Sequence, residues 1–320
     1  MMAKGRILAI EGLTKSFPVG FWRKPVRVLS DLTCYVYENE IVGFLGPNGA
    51  GKTTTIKILN RLAFPDAGTA TLFGEDVRSN AGFRRRVGFM PEQPYFYEYL
   101  TAPEFLRLCG QLCGMTRGET ETRATELLSR VGLSGAREKA IRKFSKGMMQ
   151  RLGLAQALLH DPELVILDEP MSGLDPMGRM EVRTLIRELK AAGKTVFFSS
   201  HIVSDVEILC DRVIMLHKGR KVAEGLVEEL IGGETLYIEL VVSPVLPPER
   251  LAAIGIPTDA GYAQGDLLVM RAPGTGVADR WMASLLAAGC SIHSCLPVKK
   301  NLEEIFLERV GDADVEGSAS

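Results

Sequence analysis

Apolar residues recur along the first two thirds of the chain in two alternating periods. Glu40-Ile41-Val42-Gly43-Phe44-Leu45 holds a short unbroken apolar run that leads straight into a glycine-rich turn. Leu164–Leu167, Thr195–Ser199 and Arg212–Leu216 repeat that texture, and continuous apolar runs of this kind suit strands buried on both faces of a sheet. Between Thr101 and His160 the period becomes helical. Thr101-Ala102-Pro103-Glu104 has capping-box spacing, and Phe105, Leu108, Cys109, Leu112 and Cys113 follow on one face. Ala124, Leu127, Leu128 and Val131 form a second stripe that Gly132 stops, and a third helix is predicted from Lys146 to about Leu159. The pattern predicts an α/β core with a helical insert over about 95–160.

Past Gly225 the texture changes. Leu236, Ile238, Leu240 and Val242 alternate with Tyr237, Glu239 and Val241, which is strand period, and a proline-rich connector follows at 243–248. Leu267–Met270 and Ile292–Leu296 bracket a helix predicted over Val277–Ala288. Asn301-Leu302-Glu303-Glu304 caps a last helix through Val310. The expected layout is a first domain over 1–228, a small α/β domain over 229–310 and a flexible tail over 311–320.

Composition narrows the function classes. The 46% hydrophobic content of these 320 residues supplies a sizeable core. Lys and Arg number 38 against 39 Asp and Glu, so no basic excess argues for nucleic acid, and none is expected as a partner. No apolar run approaches the ~18 residues of a membrane span, and Ile7–Ile10 is too short for a secretory signal. The six cysteines are scattered, as reduced thiols in a cytoplasm are, and Cys109, Cys113, Cys290 and Cys295 read as core packing. Arg84-Arg85-Arg86 reads as a solvated loop. A cytoplasmic protein is expected.

Gly46-Pro47-Asn48-Gly49-Ala50-Gly51-Lys52-Thr53 follows a predicted strand and precedes a predicted helix that opens with Thr54. In that context the pattern is a phosphate-binding loop. Its glycines let successive backbone N–H groups face one phosphate chain, and the helix N-terminus adds partial positive charge. Lys52 supplies a charge for the β- and γ-phosphates, and the Thr53 hydroxyl suits Mg²⁺. Asp168 and Glu169 end the Leu164–Leu167 strand, where parallel sheets present ligand-contacting groups. Asp168 is expected to hold the metal and Glu169 to polarise an attacking water.

Further segments appear in the order and character of the ATP-binding-cassette (ABC) ATPases, which the chain resembles over roughly 7–225. Gln93, in Met90-Pro91-Glu92-Gln93, resembles the family's glutamine loop. Phe144-Ser145-Lys146-Gly147-Met148-Met149-Gln150-Arg151 resembles its signature, with Phe144, Lys146 and Met148 in place of leucine, the first glycine and glutamine. Ser172-Gly173-Leu174-Asp175 is similar to the D-loop, and His201 to the switch histidine. The resemblance implies a P-loop NTPase fold, ATP and Mg²⁺ as cofactors, and metal contacts from Thr53, Gln93 and Asp168. Glu169, His201 and Gln93 are the implied catalytic residues.

The family pairs two cassettes head to tail, so Ser145, Lys146, Gly147 and Met148 are expected to meet the nucleotide of a second copy, with Asp175 in the D-loop. Phe17 matches the place of the adenine-stacking aromatic, with Phe21 or Trp22 in an adjoining insertion as alternatives. The signature variant and the C-terminal segment ending in Asn301–Leu307 resemble those of drug and sodium exporter ATPases. The implied partners are integral membrane transporter subunits, with this chain peripheral on the cytoplasmic face of the membrane. A soluble non-transport ABC ATPase, or an importer or lipoprotein-release ATPase, is the alternative. The aromatic run Tyr95-Phe96-Tyr97-Glu98-Tyr99, directly after Gln93, is the expected contact with the membrane partner.

Overall fold

The computed structural model describes residues 5–19, 24–79, 82–232 and 235–318. Phe21 and Trp22 lie outside the described residues. The chain forms two compact units, one of Met1–Val227 with Phe306–Ser320 and one of Glu228–Ile305.

The first unit contains two sheets. A long hairpin of β1 (Arg6–Val19) and β2 (Lys24–Tyr37) joins β4 (Ala67–Leu72) and β5 (Glu75–Asp76) in the antiparallel order β2-β1-β4-β5. The second sheet has the order β10-β9-β3-β8-β7-β6, built from β3 (Ile41–Leu45), β6 (Val87–Met90), β7 (Leu164–Leu167), β8 (Thr195–Ser200), β9 (Arg212–His217) and β10 (Arg220–Leu226). All of its pairings are parallel except that of the edge strand β10. Every residue of β3, β7 and β8 is buried, which explains their unbroken apolar runs. Phe44 of β3 and Phe197 of β8 meet across the pair with ring centroids 5.1 Å apart.

Helix α1 (Lys52–Leu59) follows β3, and α5 (Pro176–Ala191) and α6 (Val203–Leu209) flank the sheet. Three helices lie between β6 and β7: α2 (Ala102–Leu112), α3 (Arg117–Arg130) and α4 (Lys146–Leu158). Thr101–Glu104 and Thr116–Glu119 form reciprocal capping boxes at α2 and α3. α4 lies so close to β6 that a Cβ on Gly88 would overlap the Ala157 carbonyl oxygen. Gly88→Ala is therefore expected to destabilise the unit by about 3 kcal/mol or more, since backbone blocks the added methyl. A thermal melt checks this, and an unchanged midpoint would contradict it.

The second unit is an antiparallel sheet of order β12-β13-β11-β14, made of β11 (Thr235–Ser243), β12 (Gly261–Gln264), β13 (Leu267–Ala272) and β14 (Ser291–Lys299). Ile238, Leu240, Val242, Leu268 and Met270 pack against Ala278, Trp281 and Leu285 of α9 (Thr275–Ala287). The short α7 (Val227–Ile231) and α8 (Pro248–Ala253) complete the connections. Asn301 Oδ1 accepts from the Glu304 amide at 2.8 Å at the start of α10 (Leu302–Ser318). This helix continues beyond Val310 through residues expected to form a flexible tail.

Candidate active site

The carboxyl end of β3 lies between β8 and β9, in the interior of the parallel sheet. The chain turns there through Gly46–Gly51 into α1. The Gly46 amide donates to Ser200 O at 3.2 Å, which pins the loop to β8. Gly51 has φ of 104°, and a Cβ at this position would lie 2.5 Å from Leu29 Cδ2, so glycine is required twice over. Lys52, the first residue of α1, is 5% exposed and folds back over the loop. Its Nζ donates to Gly46 O at 2.7 Å and Pro47 O at 3.2 Å, and lies 3.3 Å from Glu169 Oε1.

Two strand ends complete the cleft. Asp168 and Glu169 follow β7, and both are buried, at 2% and 7% exposure. The Ser199 hydroxyl on β8 donates to Asp168 Oδ1 at 2.6 Å and accepts from the Glu169 amide at 2.9 Å. Thr53 Oγ1 donates to the same Asp168 oxygen at 3.4 Å. Burial pushes the Asp168 carboxyl above the usual carboxylate range, and the Ser199 and Thr53 hydroxyls pull it part of the way back. A divalent cation would offset that burial penalty, and a carboxylate beside a threonine hydroxyl is a hard oxygen set that fits Mg²⁺. Glu169 Oε2 lies 2.9 Å from His201 Nδ1, so its carboxylate bridges Lys52 and His201.

These groups border a cleft of about 410 Å³, into which Asn48, Gly49, Gly51, Thr54, Glu92 and Ser172 also face. The cleft thus gathers phosphate-loop residues, Lys52, Thr53, Glu169 and His201, with Asp168 directly behind Thr53. Gln93 does not line it; Glu92 does, and Glu92 also contributes to the field at Asp168. Of these two adjacent residues in the bend after β6, Glu92 is therefore the one at the cleft. Phe17 does not line the cleft either. It sits 37% exposed on β1 with the Lys15 ammonium 5.1 Å from its ring centroid, and Val28 of β2 faces the cleft instead.

Ser145 caps α4, accepting from the Met148 amide at 3.2 Å, and Asp175 caps α5 through the Gly178 amide at 2.7 Å. Neither these two nor Lys146, Gly147 and Met148 border the cleft of their own chain. Two residues that the sequence placed in longer segments without a site role of their own acquire one in the fold. Ser199 joins Asp168 to Glu169, and Gln150 of α4 donates from Nε2 to the Glu169 and Pro170 carbonyls at 3.3 and 3.2 Å. Gln150 belongs to the signature segment Phe144–Arg151, but neither that segment nor the run holding Ser199 announces a contact with Glu169.

The family model for ABC transporters matches residues 29–172, from β2 to just past the Asp168–Glu169 pair. An uncharacterized ABC transporter ATP-binding protein of Nostoc sp. (strain PCC 7120) is 47% identical over 234 residues, covering 72% of this chain and 70% of that protein. The linearmycin resistance ATP-binding protein LnrL of Bacillus subtilis is 33% identical over 292 residues, 89% of this chain and 94% of its own. A solved dimeric ATP-binding cassette in a post-hydrolysis state, bound to ADP and Pi, superposes with a TM-score of 0.64 at 25% identity, over 69% of this chain and 98% of that one. With identities of this size across most of both chains, and a phosphate-loop cleft to match, the protein belongs to the ABC family: it is an ABC-type ATPase, the ATP-binding subunit of an ABC transporter.

Proposed function

We propose that this subunit powers export, closing as a homodimer on ATP and reopening after hydrolysis, with separate integral membrane subunits providing the path. The observation that carries the dimer is the split of the motifs. Phosphate loop, Glu169 and His201 share one cleft, while Ser145, Lys146, Gly147 and Met148 stand outside it at a helix N-terminus. A second copy placed head to tail brings that N-terminus to the γ-phosphate, where its partial charge and the Lys146 ammonium oppose the phosphate charge. Asp175 then sits in the D-loop at the same junction. The likeness to a linearmycin resistance ATPase, which extends beyond the cassette, supports export over import or a non-transport role.

In hydrolysis the loop amides and Lys52 hold the β- and γ-phosphates. Glu169 accepts a proton from a water whose oxygen bonds to the γ-phosphorus. The bond to the bridging oxygen breaks, leaving ADP and phosphate. His201 steadies the Glu169 carboxylate and the γ-phosphate. Thr53 and Asp168 would hold Mg²⁺, with Glu92 in the place expected of Gln93. The metal would supply positive charge to the developing phosphate oxygens. Closure excludes water and strengthens each of these interactions.

Docking to the membrane subunits falls to the loop after β6. Phe96 turns inward onto Phe105, ring centroids 5.0 Å apart, whereas Tyr95 and Tyr97 are 90% and 53% exposed. Exposed tyrosines of this kind are enriched at interfaces. No helix of the described residues is long and apolar enough to cross a membrane, and the proposed docking is what would hold the chain at the cytoplasmic face. Hydrolysis by the purified chain is expected to rise when the membrane subunits are added. The Tyr95→Ala, Tyr97→Ala double variant should keep the basal rate and lose most of the stimulation. Equal stimulation of both proteins would place the docking surface elsewhere.

A further inference from the structure

The Glu169 backbone has φ of 49°, in the left-handed region that residues with a Cβ rarely occupy. Such a conformation persists only where its surroundings determine it from several sides. Four bonds do so here. The Glu169 amide donates to Ser199 Oγ at 2.9 Å, the Ser172 amide donates to the Glu169 carbonyl at 3.1 Å, and the Gln150 amide nitrogen donates to the carbonyls of Glu169 and Pro170 at 3.3 and 3.2 Å. Gln150 is 3% exposed, so neither the amide nor the two carbonyls find an equivalent in bulk water.

The source of this clamp matters as much as its strength. Gln150 belongs to α4, whose N-terminus carries Ser145, Lys146 and Gly147. The same helix packs on β6, and Gly153 leaves room for Pro94, directly after Gln93, which a Cβ would approach to 3.1 Å. One rigid helix therefore carries the signature residues at its end and holds the Glu169 main chain from its second turn.

We infer that Gln150 is a positioning residue: its amide, delivered by the signature helix, sets the left-handed backbone of Glu169 and so the aim of that carboxylate at the water to be activated. This rests on the reading of Glu169 as the proton acceptor. The side chain does not line the cleft, so its removal is expected to act on the chemical step and to spare binding. Misplacing a reacting group by a fraction of an ångström to one ångström costs about tenfold to a hundredfold in rate.

The test is a double-mutant cycle on the purified protein with radiolabelled ATP. Gln150→Met keeps the volume and removes both donors. Its kcat should fall about tenfold or more while KM for ATP and the affinity for ADP stay within about twofold. In a Glu169→Gln background the same change should have no further effect on the residual rate, because Gln150 acts only through Glu169. Gln150→Asn retains the amide one methylene short and should fall between the two. It provides the same comparison if Met lowers the melting midpoint too far for assay. An equal fractional loss in both backgrounds, or a wild-type kcat for Gln150→Met beside an inactive Glu169→Gln, would overturn the inference and leave the base assignment standing. Wild-type turnover by Glu169→Gln alone would overturn the base assignment, and the inference with it.

Discussion

Replacing Lys52 with Ala is expected to abolish tight ATP binding and to lower turnover by about a hundredfold to a thousandfold. The lysine is buried, and its ammonium is held by two loop carbonyls and the Glu169 carboxylate. It is the cation that the phosphate chain meets at the base of the loop, in a setting where low dielectric magnifies its effect. The substitution also strips the buried Glu169 carboxylate of its lysine partner. Titration with a fluorescent ATP analogue measures the first effect and phosphate release the second. Unaltered binding and turnover would remove the phosphate-loop assignment.

A second large effect separates binding from chemistry. Glu169→Gln should reduce hydrolysis by about a hundredfold or more, the usual scale for losing a general base. ATP affinity should hold, because the loop amides, Lys52 and Thr53 are unchanged. The amide preserves volume and can still meet His201 Nδ1, 2.9 Å from one carboxylate oxygen. Equal losses in affinity and rate would show instead that Glu169 mainly organises the empty loop. Rapid-quench and equilibrium-binding measurements on the same preparation distinguish the two.

Four strands of the parallel sheet were readable from the chain because burial on both faces leaves unbroken apolar runs, as in β3, β7, β8 and most of β9, whereas the short β6 was not read. The antiparallel sheet was harder. Leu32, Cys34 and Val36 of β2 do alternate, buried against partly exposed neighbours. In β1 the register shifts between Ile10 and Leu13 break the two-residue period, and β4 is built mostly of small residues. After Gly225 the alternating Leu236–Val242 became part of β11, the apolar run Leu267–Met270 part of β13 and Ile292–Leu296 part of β14, while the mostly exposed β12 left no apolar signal.

The site divides along the same line. The phosphate loop is contiguous, so its residue types and spacing carry the physics by themselves. Ser199 and Gln150 reach Glu169 across 30 and 19 residues of sequence, and only the folded sheet and helix bring them there. Glu92 and Gln93 are adjacent, and which of them faces the cleft depends on a bend that residue type does not encode. Phe17 fits the expected place in sequence, yet the β1–β2 hairpin pairs it with Val26 and leaves Val28 at the cleft.

The central claim is that one chain supplies only part of a working site and that ATP completes it by joining two copies. The direct measurement is the solution mass of the Glu169→Gln protein by light scattering after gel filtration, in ATP with Mg²⁺, in ADP and without nucleotide. The account predicts twice the chain mass in ATP with Mg²⁺ and a single chain mass in the other two conditions. Adding Ser145→Arg, which places a bulky side chain at the α4 N-terminus, should return the ATP sample to a single chain mass. A single chain mass in all three conditions for Glu169→Gln, or a dimer indifferent to both nucleotide and Ser145→Arg, would contradict it.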